Sequence, residues 1–594
     1  MTAATSPREK SGASFRSSLY NEQLIVQSLD QGVWGRDPGV KNELGQQVGE
    51  QLEPTLHFRH ITMISVGGVV GTGLFLGSAQ SLREGGPLGL VLGTVLVSTI
   101  CFSVMQCLGE VVAYLPLPGG LTQLAERFVS PGMAFAMGWL FWFKSTIVLP
   151  AQLAAAAILV GFWNRHHEMN PAIYVAIFIV IISVVNLLGA RVYGETEFWL
   201  ASIKCATIVG LAIVSICLVA GAGVEEPIGT RYWRHPWTLF NKFAPVDEPP
   251  YEEVRGLAGH LFGFIAVIGR AIFSFLGVEN FGTLAAETKN PRRILPRAVI
   301  FVWVTVVVLY LMGALAIAFV CPSDHPDLSM QSDMAIESPF VIAIRIAGIR
   351  VLPSVINAVL LLSAISAGSQ DLYTSSRALY GLAIAGKAPR IFCTTTASGL
   401  PLPAVAVGVA VSFLAFLCVK SGANHIFAWT INAASVSGLM VWGCIAFLYL
   451  RFRKGFQVQG YRRTVLPYRS WCQPFAAYWV IGWTVTIVLL HGASTFLKGG
   501  WSTGKFVSSY ISLPLFIVFL IMGRILARRG MVRSVHMDFE SSVMRLREME
   551  VPDNAPRPSF HRLRRATTTT TTTTTTTPAC SAPLAATSVS ATAS

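Results

Sequence analysis

Charge is what this sequence most conspicuously lacks. Asp, Glu, Lys and Arg make up 13% of its 594 residues, against 53% hydrophobic. A soluble globular chain carries about a quarter charged residues, so that class is excluded. Cysteine is present ten times but scattered, mostly within apolar runs (Cys101, Cys107, Cys205, Cys217, Cys418, Cys444). No CxxC spacing occurs, so neither a zinc site nor a disulfide framework is indicated, and in such runs Cys acts as a small apolar residue. No nucleophile–base pair or metal cluster stands out. Gly67-Gly68 lacks the following Lys of a phosphate-binding loop. Catalysis and ATP-driven work are therefore unsupported, and no cofactor or metal is expected.

What the chain has in abundance is apolar length. A bilayer crossing needs about 20 apolar residues, and about twelve such runs are present. They lie near 60–81, 88–114, 133–161, 172–190, 198–221, 261–284, 298–320, 340–368, 402–420, 425–450, 475–496 and 508–527. The expected class is an all-α polytopic membrane protein in a lipid bilayer, with a polar tail over 1–58, a membrane domain over 59–528 and a disordered, Thr-rich tail over 529–594. The first 50-odd residues are too polar and too long for a signal peptide, so the first run stays as a helix. The net charge of +14 does not point to nucleic acid, because the charges alternate by side. Arg451, Arg453, Lys454, Arg462, Arg463 and Arg469 share one loop; Lys289, Arg292, Arg293 and Arg297 follow span 6; Arg524, Arg528, Arg529 and Arg533 follow the last span. Glu225, Glu226, Asp324, Asp327, Asp333 and Glu337 fall on the opposite side. That pattern places both termini in the cytosol.

Span 1 contains Val66-Gly67-Gly68-Val69-Val70-Gly71-Thr72-Gly73-Leu74-Phe75-Leu76-Gly77. Each Gly costs roughly 1 kcal/mol of helix propensity against Ala, and a break in lipid is tolerated only where protein or a wet cavity covers it. Secondary transporters bind substrate at such breaks; the plainer alternative is close helix packing on small residues. Span 6 holds a second candidate, Phe273-Ser274-Phe275-Leu276-Gly277-Val278-Glu279-Asn280-Phe281-Gly282. The two correspond in position if spans 1–5 and 6–10 are five-helix repeats of inverted topology.

Several stretches carry a family resemblance. They are Phe58-Arg59-His60-Ile61-Thr62-Met63-Ile64 before Gly71-Thr72-Gly73, Pro118-Gly119-Gly120, Tyr193-Gly194-Glu195 with Glu197-Phe198-Trp199, Ala285-Ala286-Glu287 with Asn290-Pro291-Arg292, Ser338-Pro339-Phe340-Val341, Ser375-Ser376-Arg377-Ala378-Leu379-Tyr380 and Gly386-Lys387-Ala388-Pro389. Over roughly 55–530 the chain resembles the fungal amino acid permeases of the amino acid–polyamine–organocation superfamily. Phe143-Lys144-Ser145-Thr146-Ile147-Val148-Leu149-Pro150-Ala151-Gln152-Leu153 and Asp371-Leu372-Tyr373 bring it nearest the dicarboxylic amino acid permease group. The resemblance implies a LeuT-like 5+5 fold with two extra helices and proton-coupled amino acid uptake, at the plasma membrane, with acidic and some neutral amino acids as substrates. A general permease, or a non-transporting sensor on the same fold, is the alternative. The chain departs from the family pattern at Lys144, at Gln152 where an acidic residue is common, at Ala367-Gly368-Ser369-Gln370 and at Thr305.

Intramembrane ionisable residues are functional candidates by default. Glu110, Lys144, Lys204 and Glu279 stand out, with helix-packing or snorkelling roles as the plainer alternatives. By resemblance Lys204 replaces a sodium ion or cycles a proton, and Glu279 lies near the substrate amine or on the proton route. For the substrate, N–H groups of Gly71, Thr72 and Gly73 suit the carboxylate, and carbonyls of Phe273, Ser274 and Phe275 suit the ammonium. Lys144 has no acidic neighbour within two turns of its own helix, and Gln152 does not neutralise it, so an acidic substrate is expected to complete the pair. Phe275 and Phe281 are candidate gates, and Ser435 and Ser437 weaker lining candidates.

Overall fold

The computed structural model describes residues 56–539, except Pro118, Arg255 and segments 164–168, 222–226, 235–236, 244–253, 329–337, 397–398, 418–422 and 498–500. Of the expected tails, 1–58 and 529–594, residues 1–55 and 540–594, including the threonine tract, lie outside the described residues. So do Glu225, Glu226, Asp333 and Glu337.

Span 1 begins with α1 (Phe58–Val69), whose regular helix stops at Val70 with ψ 85°. The Gly71 N–H turns back to the Val69 carbonyl at 2.9 Å, and a π-helical turn, Gly73–Gly77, restarts the span. It runs into α2 (Ser78–Tyr114), which holds the rest of span 1 and all of span 2, folded at Gly86. There φ is +72°, and a Cβ would stand 2.7 Å from the Leu239 carbonyl oxygen; glycine alone adopts that turn cheaply. A short amphipathic helix, α3 (Gly120–Phe128), precedes span 3, α4 (Pro131–Gly161). Ser130 caps α4 by accepting from the Met133 N–H, with Pro at its first turn, as helix starts favour.

Spans 4 and 5 are α5 (Pro171–Leu187) and α6 (Ala190–Val219). Span 6 is α7 (Gly256–Phe275), a break, and α8 (Phe281–Leu284). Span 7 is α9 (Pro291–Val320), followed by the short α10 (Pro339–Ile346). Spans 8 to 10 are α11 (Leu352–Ile384), α12 (Leu402–Ser412, prolonged by a 3₁₀ turn to Leu417) and α13 (Ala423–Val458). Span 11 is α14 (Phe475–Leu490), and α15 (Thr503–Tyr510) with α16 (Ser512–Ala527), bent by 42°, form span 12. Among the described residues the only β pairing is an isolated bridge between Leu56 and Thr288.

Burial separates scaffold from lipid face. On α5, Ile177, Val180, Val184 and Leu187 are exposed while Val175, Phe178 and Ile182 are buried. A helix apolar on both sides suits lipid on one and protein on the other. In α4, by contrast, both Lys144 and Gln152 are enclosed, and α11, α13 and α16 pack around the helix.

Some expected boundaries fail. Span 8 is not 340–368: that stretch divides into α10 and the first half of α11, which continues to Ile384. Hydropathy falls after 368 because Ser369, Gln370, Asp371, Ser375, Ser376 and Arg377 follow, yet nearly all of these are buried in polar contacts inside the bundle. Span 5 starts at Ala190 rather than 198. The tail expected to be unstructured from 529 is folded down for its first part: Met537 and Phe539 are buried, and Phe539 stacks on Phe128 at 5.2 Å. The Val532 N–H donates to the Val129 carbonyl.

Candidate substrate-binding site

The two breaks lie side by side. Gly277, in the span 6 break, has φ +111°, and a Cβ there would meet the Gly68 carbonyl oxygen of span 1 at 2.9 Å. A Cβ on Gly73 would meet Ser274 Cα at 2.6 Å. Tyr310 of span 7 ties the ends together: its hydroxyl lies 2.8 Å from the Val69 carbonyl and 2.6 Å from the Ser274 carbonyl. One hydroxyl proton serves two carbonyls, so this acceptor pair retains capacity for a further donor.

A cavity of about 360 Å³, its mouth included, opens at this junction. Seven of the eight residues expected to bind substrate line it: Gly71, Thr72, Gly73, Lys144, Gln152, Phe273 and Ser274. Phe275 does not; its ring is turned onto Tyr310, 4.4 Å between centroids. Phe281 is buried away from the cavity lining. Ser435 and Ser437 are engaged elsewhere, donating to the Ile431 and Ala433 carbonyls one turn back, with Ser437 also 2.7 Å from Ser512 of span 12.

Lys144 is not unpaired. Its ammonium donates to Glu279 Oε1, and the side chains are 2% and 0% exposed. The neighbour absent from its own helix comes from span 6, which sequence separation hid. Glu279 Oε2 accepts from Trp442 Nε1 at 2.9 Å and from the Gly277 N–H at 3.1 Å. Gln152 accepts from the Thr72 hydroxyl at 2.8 Å, joining span 3 to the span 1 break.

Lys204 occupies a second cluster. It donates to the Gly67 carbonyl at 2.7 Å and lies 3.6 Å from Glu197. The Ser366 hydroxyl is 2.8 and 2.7 Å from the two Glu197 oxygens. A lysine thus joins span 5 to span 1, and the carboxylate joins it to span 8. Glu110 is structural: it accepts from the Ser470 N–H at 2.7 Å and the Tyr449 hydroxyl at 2.8 Å, and it also pairs with Arg463. It anchors the loop between spans 10 and 11.

Sequence reasoning missed Glu197, Asp371, Tyr310 and Trp442. Glu197 stood one residue outside the expected span 5, and Asp371 three beyond the expected span 8, so neither counted as intramembrane. Further along span 8, Tyr373 and Arg377 donate to Glu287 at 2.5 and 3.3 Å. Arg377 lies 3.6 Å over the Tyr373 ring, which stacks on Tyr193.

Two broken spans thus flank one cavity with acceptor and donor ends. The profile of the family described as "Amino acid permease" matches residues 60–534. The chain belongs to the amino acid permease family. This permease is 34% identical to the dicarboxylic amino acid permease of Saccharomyces cerevisiae, over 85% of this chain and 82% of that one. It is also 34% identical to the lysine-specific permease of the same yeast, over 80% and 75%, and to a lysine/arginine permease of Candida albicans, over 84% and 88%. A solved structure of MHP1, a nucleobase-cation-symport-1 family transporter, aligns with a TM-score of 0.45 at 14% identity, over 84% of this permease and 98% of that chain. Such relatives are permeases, that is, transporters rather than enzymes.

Proposed function

We propose that this permease is a secondary active transporter that couples amino acid uptake to protons at the plasma membrane, favouring acidic and small neutral amino acids. The observation that carries the reading is the junction of the two breaks, where Thr72 and Gly73 offer a helix start and the Val69 and Ser274 carbonyls offer acceptors. A zwitterion's carboxylate fits the first and its ammonium the second. Lys144 supplies the positive wall for an acidic side chain, although Glu279 already engages it, so the electrostatic gain is smaller than an unpaired lysine would give. Lys204 stands where a cation would meet the Gly67 carbonyl, and its loss is expected to uncouple accumulation while sparing exchange. A second reading, uptake of basic amino acids, draws support from Asp371, the carboxylate that lines the cavity.

The test is uptake of labelled Glu, Ala and Lys by permease-deficient yeast expressing the chain, at acid and neutral pH, with and without protonophore or sodium. Protonophore-sensitive, sodium-independent accumulation with Glu ahead of Lys supports the proposal. A sodium requirement, or Lys ahead of Glu, overturns it.

A further inference from the structure

The ionisable groups around the cavity do not balance. Span 3 contributes Lys144 and span 6 contributes Glu279, and these are joined. Span 5 contributes Lys204 and Glu197, held 3.6 Å apart. Span 8 contributes Asp371, which lines the cavity and forms no ion pair among the described residues. The other faces bring no charge: Thr72 from span 1, Tyr310 from span 7 and Trp442 from span 10 are neutral, as are Tyr193 and Gln370, while Arg377 further along span 8 is joined to Glu287. Two lysines therefore face three carboxylates, and Asp371 is the one without a cation of its own.

Asp371 shares the cavity with the groups at the span 1 break. Gln152 and Thr72 line the same cavity, and Gln152 takes the Thr72 hydroxyl at 2.8 Å. Glu279 is differently placed: Lys144, Trp442 Nε1 and the Gly277 N–H all donate to it, and a carboxyl O–H there would face donors, with no acceptor among those contacts.

Resting on the reading of proton-coupled uptake, we propose that Asp371 binds the proton that accompanies the substrate, while Glu279 serves as the fixed counter-ion of Lys144. A buried charge needs a partner. A zwitterionic or anionic amino acid brings no net cation, so the cavity accepts it when Asp371 carries a proton. The proton is taken from the outer solution and released inside; no bond other than its O–H forms or breaks.

The test uses purified full-length protein in detergent, with equilibrium binding of labelled glutamate and of labelled alanine from pH 4.5 to 7.5. One proton bound per substrate makes Kd rise by about tenfold per pH unit on the ionised limb. The parent protein is expected to show that slope, Asp371→Asn to bind with a flat profile, and Asp371→Glu to keep the slope. Should Asp371→Asn be too poorly folded to assay, proton uptake on substrate addition, read with a pH dye in the parent and in Asp371→Glu, decides: no uptake in either overturns the proposal. A parent-like slope in Asp371→Asn overturns it too, as does lysine bound more tightly as pH rises and lost in Asp371→Asn, which would make Asp371 an ammonium anchor. A slope seen with alanine but no glutamate binding keeps the role of Asp371 and discards the acidic-substrate reading instead.

Discussion

Removing the ammonium of Lys144 is the perturbation with the clearest calculable consequence. Lys144→Met keeps the length of the side chain but leaves Glu279 fully enclosed without its counter-ion, held by Trp442 and the Gly277 N–H alone. Coulomb attraction at about 4 Å is roughly 4 kcal/mol at an effective dielectric near 20. Breaking a buried pair by deleting one partner costs about 3–5 kcal/mol, chiefly from the stranded charge. A charge at the centre of a membrane helix costs a similar ~2.5–3.5 kcal/mol on insertion scales. Glu279→Gln still accepts from Trp442 and Gly277, so adding it to Lys144→Met removes the stranded charge without stranding those donors. The double variant should therefore be more heat-stable than Lys144→Met alone, recovering at least half of its loss. The assay is thermal unfolding of the detergent-solubilised protein followed by size-exclusion fluorescence, with all four proteins scanned at one rate because membrane-protein unfolding is commonly irreversible. Strictly additive losses would refute the reasoning, since they would mean that the two groups do not sense one another.

Two further outcomes follow from contact geometry. Gly73→Ala forces a Cβ to within 2.6 Å of Ser274 Cα, whereas at Gly71 the nearest atom is the Ala367 methyl at 3.3 Å. Gly73→Ala is therefore expected to weaken substrate binding by about fivefold or more, as overpacking of about 1–3 kcal/mol implies, and Gly71→Ala by much less. Equal effects at equal surface abundance would contradict this. Phe539→Ala should free residues 532–539 from α3 and α13, raising their amide hydrogen exchange while the membrane helices exchange as before. Unchanged exchange over that segment would show that the ring does not hold it.

The amino-acid sequence by itself determined the class, the number of crossings and both breaks. Apolar runs of crossing length leave helices as the economical answer in lipid, where unpaired backbone groups are costly. Clustered glycines mark where those helices stop, because the cost of breaking is local and residue-specific. The same locality let residue type and order pick out Gly71, Thr72, Gly73, Phe273 and Ser274, all of which line the cavity at the junction. Phe275 was not, since which way a side chain faces at a break depends on the neighbour it meets, here Tyr310. The polar second half of span 8 was misjudged because hydropathy averages over a helix and does not sense that Asp371 faces a cavity and Arg377 a carboxylate. Only the tertiary structure decided the charge pairing. Lys144 is 135 residues from Glu279, and no period or spacing links them. Their meeting depends on span 6 breaking beside span 3, so whether a buried lysine awaits a substrate or already holds a partner is settled by packing alone.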